Sequence, residues 1–307
     1  MLLIVNPASA RGATLSNCET ARREFGRLGI VFSEHRTSGP GEATLVARNA
    51  LRKGATRIVA VGGDGTLNEV IAGYFDETGQ VINADAAVGL IPSGTGSDFR
   101  RSLGLKTEAQ SIESLVRDHT RSVDVAVVML RDSQGRERSR YFINVATFGL
   151  GGEAVALVNA WRGTWPMWIG GKVRFIAAAL SALRNYRNRP VSVHLDDEPE
   201  LKVSSGFVVV ANGRYAGSGM KLAPTAEIDD GKLDIILTDG LSRLGIAREL
   251  LRVWKGDHVG NPKVITARAQ RIAITSNPEM AVDIDGEAAG FTPIRIEVLH
   301  RVLRFLV

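Results

Sequence analysis

Ile58-Val59-Ala60-Val61-Gly62-Gly63-Asp64-Gly65-Thr66-Leu67-Asn68-Glu69-Val70-Ile71 decides how the first half of this chain folds. Its first four residues are apolar and rich in β-branched side chains, the pattern of a short buried strand. Glycines at 62, 63 and 65 follow, then a run with helical spacing. A glycine loop between a strand and a helix lets backbone N–H groups face a phosphate at the positive end of the helix. Gly63 and Gly65 can take φ > 0, and they let an anion approach with no Cβ in the way. Asp64 would itself repel phosphate, so its presence points to a bound cation, most simply Mg²⁺.

Upstream, Leu2 to Val5 reads as a buried strand ended by Asn6-Pro7, and Ala8-Ser9-Ala10-Arg11-Gly12 as a turn of small residues. A helix is expected from about Leu15 to Leu28, a strand at Ile30-Val31-Phe32, and a second helix from about Ala43 to Lys53. Downstream, Val88 to Pro92 is another strand, leading into a second glycine loop, Ser93-Gly94-Thr95-Gly96-Ser97-Asp98-Phe99, and a helix from about Glu108 to Arg117. Alternating strands and helices imply a parallel sheet with helices on its faces. Both glycine loops then follow strands, where ligands of such sheets bind.

From Val123 the rhythm changes. Strands are expected at Val123–Leu130, Tyr141–Thr147, Val191–Leu195, Phe207–Ala211, Leu233–Leu237, Arg271–Thr275, Met280–Asp283 and Arg295–Val298. Only two helices interrupt them, near Val173–Tyr186 and Ile246–Trp254. The chain thus divides into an α/β domain over 1–123 and a β-rich, sandwich- or barrel-like domain over 124–307, whose last strand packs back on the first domain.

The bulk figures narrow the function. A net charge of +5 and a pI near 9.5 favour anionic partners. Cys18 is the single cysteine, so no intrachain disulfide can form, and the five histidines lack metal-ligand spacing. The N-terminus has no signal-peptide pattern, and no run of about 18 apolar residues occurs. A cytoplasmic protein is expected, in peripheral contact with the inner face of the membrane.

The usual nucleotide signatures are missing. Gly170-Gly171-Lys172-Val173 has neither the spacing nor the hydroxyl of a P-loop, Asn68 stands where a dinucleotide fingerprint needs its last glycine, and no serine-nucleophile elbow occurs. Taken alone, 62–68 has a tight structural turn as its lesser alternative; the second loop at 94–98 argues further for a ligand.

Asn6-Pro7 with Gly12, Gly62-Gly63-Asp64-Gly65-Thr66-Leu67-Asn68-Glu69-Val70, and Pro92-x-Gly94-Thr95-Gly96-x-Asp98-Phe99 resemble the diacylglycerol kinase catalytic domain, in the lipid-kinase family that includes sphingosine and ceramide kinases and soluble bacterial relatives. Phe142-Ile143-Asn144 with Gly149-Leu150-Gly151, Ala223-Pro224 to Asp230-Gly231-Lys232-Leu233, and Asp285-Gly286-Glu287 extend the resemblance in the family's order. It implies an N-terminal α/β domain, a C-terminal β-sandwich and ATP in the cleft between them. Asn6, Pro7, Ala8, Ser9, Ala10, Thr37, Gly62, Gly63, Asp64, Gly65, Thr66, Leu67, Asn68 and Thr95 would contact nucleotide. Asp64, Asp98 and Asp124 would organise catalytic Mg²⁺ through water. The family commonly has Asn where this chain has Ser97, a shorter hydrogen-bonding group.

Glu287 matches the family's general base, a carboxylate that takes the proton of an attacking hydroxyl; on the residues alone, Asp-Gly marks a charged turn between strands. Glu227, Asp230 and Lys232 would hold a structural Mg²⁺, with Asp230 the one side-chain ligand; the plain alternative is again an Asp-Gly turn. Ala154 to Leu195 has no acidic residue but carries Arg162, Lys172, Arg174, Arg184, Arg187 and Arg189, with Trp161, Trp165 and Trp168 at its start. That suits a membrane interface with anionic lipid through 161–189, or a solvated basic face with core tryptophans.

The expected function is transfer of the ATP γ-phosphate to a lipid hydroxyl, with diacylglycerol as acceptor. An NAD kinase-like phosphotransferase and an inactive lipid- or nucleotide-binding regulator are the alternatives. No nucleic-acid partner is expected. A homodimer stays open, although the chemistry needs no second chain.

Overall fold

The structure is a computed structural model that describes residues 1–9, 13–93, 97–117, 119–131, 134–161 and 171–307. These fall into two compact units, the first 1–125 with 300–307 and the second 126–299. The chain therefore passes between them twice.

The first unit opens with β1 (Leu2–Val5), α1 (Ala13–Arg27), β2 (Ser33–Arg36), α2 (Glu42–Arg52), β3 (Arg57–Gly62) and α3 (Asp64–Ala72). β4 (Ala87–Pro92), α4 (Asp98–Ser102), α5 (Glu108–Val116) and β5 (Thr120–Arg131) follow, β5 running on into the second unit. The strands lie in the parallel order β2-β1-β3-β4, with Val5 opposite Arg36 and Val61, and Gly62 opposite Pro92. β3 and β4 are nearly all apolar because helices cover both faces of such a sheet. Leu3, Val5, Val59, Val61 and Ile91 pack with Cys18 and Phe25 of α1 and with Leu115 of α5.

β2 departs from expectation. Ile30-Val31-Phe32 precedes the strand, and Val31 is 87% exposed. The strand itself is Ser-Glu-His-Arg, paired among the described residues with β1 alone. An edge strand gains its stability from backbone pairing on one side, so it needs no apolar run.

The second unit holds β6 (Glu137–Phe142), β7 (Val145–Gly149), α6 (Leu150–Ala160), α7 (Gly171–Leu183), β8 (Arg189–Leu195), β9 (Leu201–Ser205), β10 (Phe207–Ala211) and β11 (Leu233–Thr238). α8 (Arg243–Arg252), β12 (Val264–Ala269), β13 (Arg271–Ser276), β14 (Ala281–Ile284) and β15 (Glu287–Leu306) complete it. Antiparallel neighbours run β12-β11-β10-β7-β14-β15, with β13 joining β15 to β8 and β9. Phe142, Phe148, Val208, Ile235, Ile274 and Ile296 share the core between strands. On the other side of β10 and β11, α6, α7 and α8 pack Ala154, Ala179, Ala182 and Ile246 onto Val209 and Ile236.

Three expectations are corrected here. The strand at Tyr141–Thr147 is two strands broken at Ile143-Asn144, because those N–H groups bond to Asp285 instead of a neighbouring strand. β15 is 20 residues long, and its end pairs with β4 through Arg304 opposite Ala87. Helix α6 replaces a stretch expected to be turn, with the small side of Gly151-Gly152 against Thr147 and Ala281. No helix among the described residues is long and apolar enough to cross a membrane.

Candidate functional site

The parallel register places Asn6, Thr37, Gly63 and Ser93 together at the C-terminal edge of the first unit's sheet. Each follows the last residue of its strand, and the ladder continues past those ends: Asn6 N–H bonds Val61 O, Thr37 N–H bonds Val5 O, and Ser93 N–H bonds Gly62 O at 2.8–3.0 Å. Asn6 donates from Nδ2 to Thr66 Oγ1 at 3.0 Å and accepts from Ala8 N–H at 3.0 Å. That fixes the turn Asn6-Pro7-Ala8-Ser9 against the start of α3. Ala10 and Thr95, with Gly94 and Gly96, lie outside the described residues.

Gly62 and Gly63 do different work. A Cβ on Gly62 would stand 2.4 Å from Thr66 Oγ1, so Thr66 excludes every side chain there. At Gly63 the nearest atom to such a Cβ among the described residues is 3.7 Å away, on Ser9. Neither Gly63 nor Gly65 uses a positive φ: Gly63 sits at φ −91°, and Gly65 lies inside α3. Their value is the bare backbone at a helix N-terminus. Leu67 is engaged within the protein. Its side chain is fully buried and its N–H bonds Gly63 O at 3.1 Å. Asn68 is half-buried on the next turn face.

Asp64 begins α3 and caps α4. Its Oδ2 accepts from Asp98 N–H at 2.9 Å and its Oδ1 from Phe99 N–H at 3.3 Å. Burial pushes the Asp64 carboxyl up, and those two N–H groups pull it back down. Asp98 is buried and pairs with Arg101 at 2.5 Å. Ser97, which leads into α4, sits at φ +46°, a conformation Asn tolerates better than Ser. The Asn that the family commonly carries there suits this backbone. Asp124 is fully buried, accepting from His300 Nδ1 at 3.0 Å and Arg301 N–H at 2.6 Å.

These carboxylates do not form a direct metal cage, and no cluster of three His, Cys, Asp or Glu among the described residues fits one. Each already accepts protein N–H groups. A carboxylate has about four lone-pair sites, so the donor set suits a cation held through water.

Sequence reasoning missed Thr14 and Ser93. Both are buried, their hydroxyls lie 2.8 Å apart, and Thr14 Oγ1 also bonds Ser9 O at 2.8 Å. Asn17 Nδ2 reaches Pro92 O at 3.0 Å. Helix α1 is thereby tied to the Asn6–Ser9 turn and to β4. Alternating small hydroxyl residues carry no signal without the fold.

In the second unit, Ile284 pairs with Glu287, and Asp285-Gly286 is the two-residue turn between them. Both turn residues have positive φ, +48° and +88°, as a type I′ hairpin turn demands. The Asp285 carboxylate accepts three N–H groups, from Ile143, Asn144 and Val145, at 2.9–3.2 Å. The hairpin is thus clamped to the β6–β7 break, and Glu287, the residue after the turn, is exposed. Arg140 Nη2 lies 3.8 Å from Glu287 Oε2, an exposed pair of small energetic weight. Below the turn, Asp283 is buried, bonded at 3.1 Å by Thr147 Oγ1, and burial pushes its carboxyl well above the usual range.

In the loop expected to hold a structural Mg²⁺, the one side-chain ligand is already engaged by protein groups. Asp230 is held by Arg268, which also reaches Asp234 at 3.3 Å, and by the Lys232 N–H at 3.0 Å. Glu227 and Lys232 are exposed. A fixed guanidinium already compensates the one carboxylate. A chelator should therefore leave the melting temperature unchanged, whereas Arg268→Ala should lower it by roughly 2–4 °C, the shift about 1 kcal/mol produces at this size. A large chelator effect in a thermal melt would contradict this.

Two family models match the chain. One is the diacylglycerol kinase catalytic domain, over residues 1–128. The other is the YegS C-terminal NAD kinase beta sandwich-like domain, over residues 144–307. A curated protein of Staphylococcus haemolyticus named diacylglycerol kinase is 28% identical over 300 residues, covering 97% of this chain and 85% of that protein. A crystal structure of a diacylglycerol kinase from Bacillus anthracis superposes with a TM-score of 0.72 at 24% identity, over 99% of this chain and 95% of the other. An NAD kinase from Archaeoglobus fulgidus in complex with ATP gives a TM-score of 0.50 at 13% identity, over 100% of this chain and 93% of the other. The last two likenesses are of fold.

Proposed function

This chain belongs to the family defined by the YegS C-terminal NAD kinase beta sandwich-like domain and carries a diacylglycerol kinase catalytic domain, and from that premise we propose that it moves the γ-phosphoryl group of ATP to the hydroxyl of diacylglycerol. The family is one of lipid phosphotransferases, so ATP as donor and diacylglycerol as acceptor are the parts of the reading open to test. The observation that carries them is the hairpin that holds Glu287 outward, clamped by three N–H bonds on Asp285.

In the reaction, the acceptor oxygen forms a bond to the γ-phosphorus while the bond from that phosphorus to the bridging oxygen breaks. ADP leaves, and the hydroxyl proton passes to the Glu287 carboxylate and then to water. The Asn6–Ser9 turn and the backbone at Gly63 to Thr66 bind the phosphates at the sheet's C-terminal edge. Gly62 keeps Thr66 in place beneath them. Asp64, Asp98 and Asp124 would hold the waters of a divalent cation bound with the nucleotide, and such a cation would neutralise charge on the transferring group.

The test offers labelled ATP with diacylglycerol, ceramide, sphingosine and NAD in separate reactions. Label is expected on diacylglycerol. Label on NAD alone would replace this reading with an NAD kinase, and label on nothing would favour a binding regulator.

A further inference from the structure

Helix α1 meets the site through two polar residues one turn apart, Thr14 and Asn17. Asn17 Nδ2 donates to Pro92 O at 3.0 Å, and Thr14 Oγ1 lies 2.8 Å from both Ser9 O and Ser93 Oγ. Thr14 and Ser93 are both buried, so a hydroxyl that loses its partner there is stranded. Proton counting gives these bonds a direction. Threonine has one O–H, and Ser9 O can only accept, so the Thr14 proton goes to Ser9. Ser93 must then donate to Thr14 Oγ1.

The chain of bonds closes around Gly63. Ser93 N–H donates to Gly62 O at 2.8 Å, and Asn6, at the start of the turn that Ser9 ends, is bonded to Thr66 at 3.0 Å. A Cβ at Gly63 would have Ser9 Oγ at 3.7 Å and Ser93 O at 3.8 Å as its nearest described neighbours. Thr14 is therefore bonded to both residues that flank this bare backbone. All of these groups lie in the first unit. Packing alone does not call for a hydroxyl at 14, since valine has the shape of threonine without one.

We propose that Thr14 is a positioning residue: through Ser9 and Ser93 it sets the Asn6–Ser9 turn and the exit of β4 against the backbone of Gly63, and so sets affinity for the phosphates of a nucleotide. The identity of that ligand rests on the ATP reading above; the setting of the turn does not. Thr14 acts at one remove, because it is fully buried and its proton is committed to Ser9. A phosphate drawn to the start of α3 gains its full set of contacts only where turn and helix already stand together. Without the Thr14 hydroxyl the turn must be ordered during binding. That lowers affinity and leaves the bound complex, and hence turnover, nearly as it was.

Equilibrium titration of the full chain with ATP and magnesium tests the effect on affinity, and hydrogen exchange of the free chain tests the setting of the turn. Thr14→Val should weaken ATP binding about tenfold, near the net worth of one buried hydrogen bond. It should raise KM for ATP while kcat stays within about twofold of the parent. Thr14→Ser, which keeps the hydroxyl, should recover most of the loss. Ser93→Ala should weaken binding about threefold, and adding it to Thr14→Val should cost nothing more, because both act through one chain of bonds. Cys18→Ala is the control for a merely structural role. It opens a void in the core beside the same helix and lowers the melting temperature, yet should bind ATP as the parent does. In the free chain, the amides of Ala8 and Ser9, both bonded to Asn6, should exchange faster in Thr14→Val than in Cys18→Ala. Loss of affinity in Cys18→Ala equal to that in Thr14→Val overturns the proposal, and so does exchange at Ala8 and Ser9 that Thr14→Val leaves unchanged. A parent that binds no ATP but shows the exchange difference would sink the ATP reading alone. ATP bound equally by the parent and Thr14→Val would sink the positioning role alone.

Discussion

Glu287→Gln is expected to lower turnover on diacylglycerol by about 100- to 10,000-fold, the range a positioned general base contributes, while ATP binds as before. Glutamine keeps the shape of the side chain and its reach from the hairpin but cannot accept the hydroxyl proton. Glu287 is exposed, and its ion pair with Arg140 is long at 3.8 Å, so folding should hardly register the change. Steady-state kinetics and nucleotide titration on the same sample separate the two effects. Undiminished turnover would remove Glu287 as the base, and loss of ATP affinity would relocate its role to binding.

Asp285→Ala should be worse for the molecule as a whole. The carboxylate satisfies three N–H groups at the β6–β7 break. Alanine leaves them without an acceptor and, at φ +48°, lacks the polar side chain whose local hydrogen bonds let aspartate tolerate that backbone. Each unsatisfied half-buried donor costs on the order of 1 kcal/mol or more, and the left-handed backbone adds about 1 kcal/mol. A total of about 4 kcal/mol would drop the melting temperature by on the order of 10 °C. Turnover should fall with it, because Glu287 sits two residues further on the same hairpin. Asp285→Asn tests the mechanism: asparagine tolerates positive φ and keeps one acceptor oxygen, so it should recover part of both losses. If alanine and asparagine behaved alike in calorimetry and turnover, the clamp would have no role.

These two carboxylates show what the sequence could and could not reveal. Asp285-Gly286 announced a tight turn, since both central residues of a type I′ hairpin need positive φ. That Asp285 reaches back to residues 143–145 is a contact across some 140 positions, and no local pattern encodes it. The parallel strands were legible because burial on both faces demands unbroken apolar runs. β2 was not, because an edge strand can be as polar as Ser-Glu-His-Arg, and the reading shifted to its apolar prelude. In the site, Asp64 stood out as an acid in a phosphate loop, but its bond to the start of α4 depends on chain geometry. His300 as the partner of Asp124, and Arg268 as the partner of Asp230, are likewise products of topology. Charge alone marked them as surface residues.

The two passages of the chain between units carry a consequence for how the protein is made. Residues 300–307 belong to the first unit, where Arg304 and Phe305 extend its sheet beside β4 and His300 bonds Asp124. A ribosome delivers them only after every residue of the second unit. While 126–299 emerge, the first unit exposes the edge of β4 that β15 later pairs, and Asp124 has yet to gain its bonds from His300 and Arg301. The nucleotide-loop half is thus translated first and finished last.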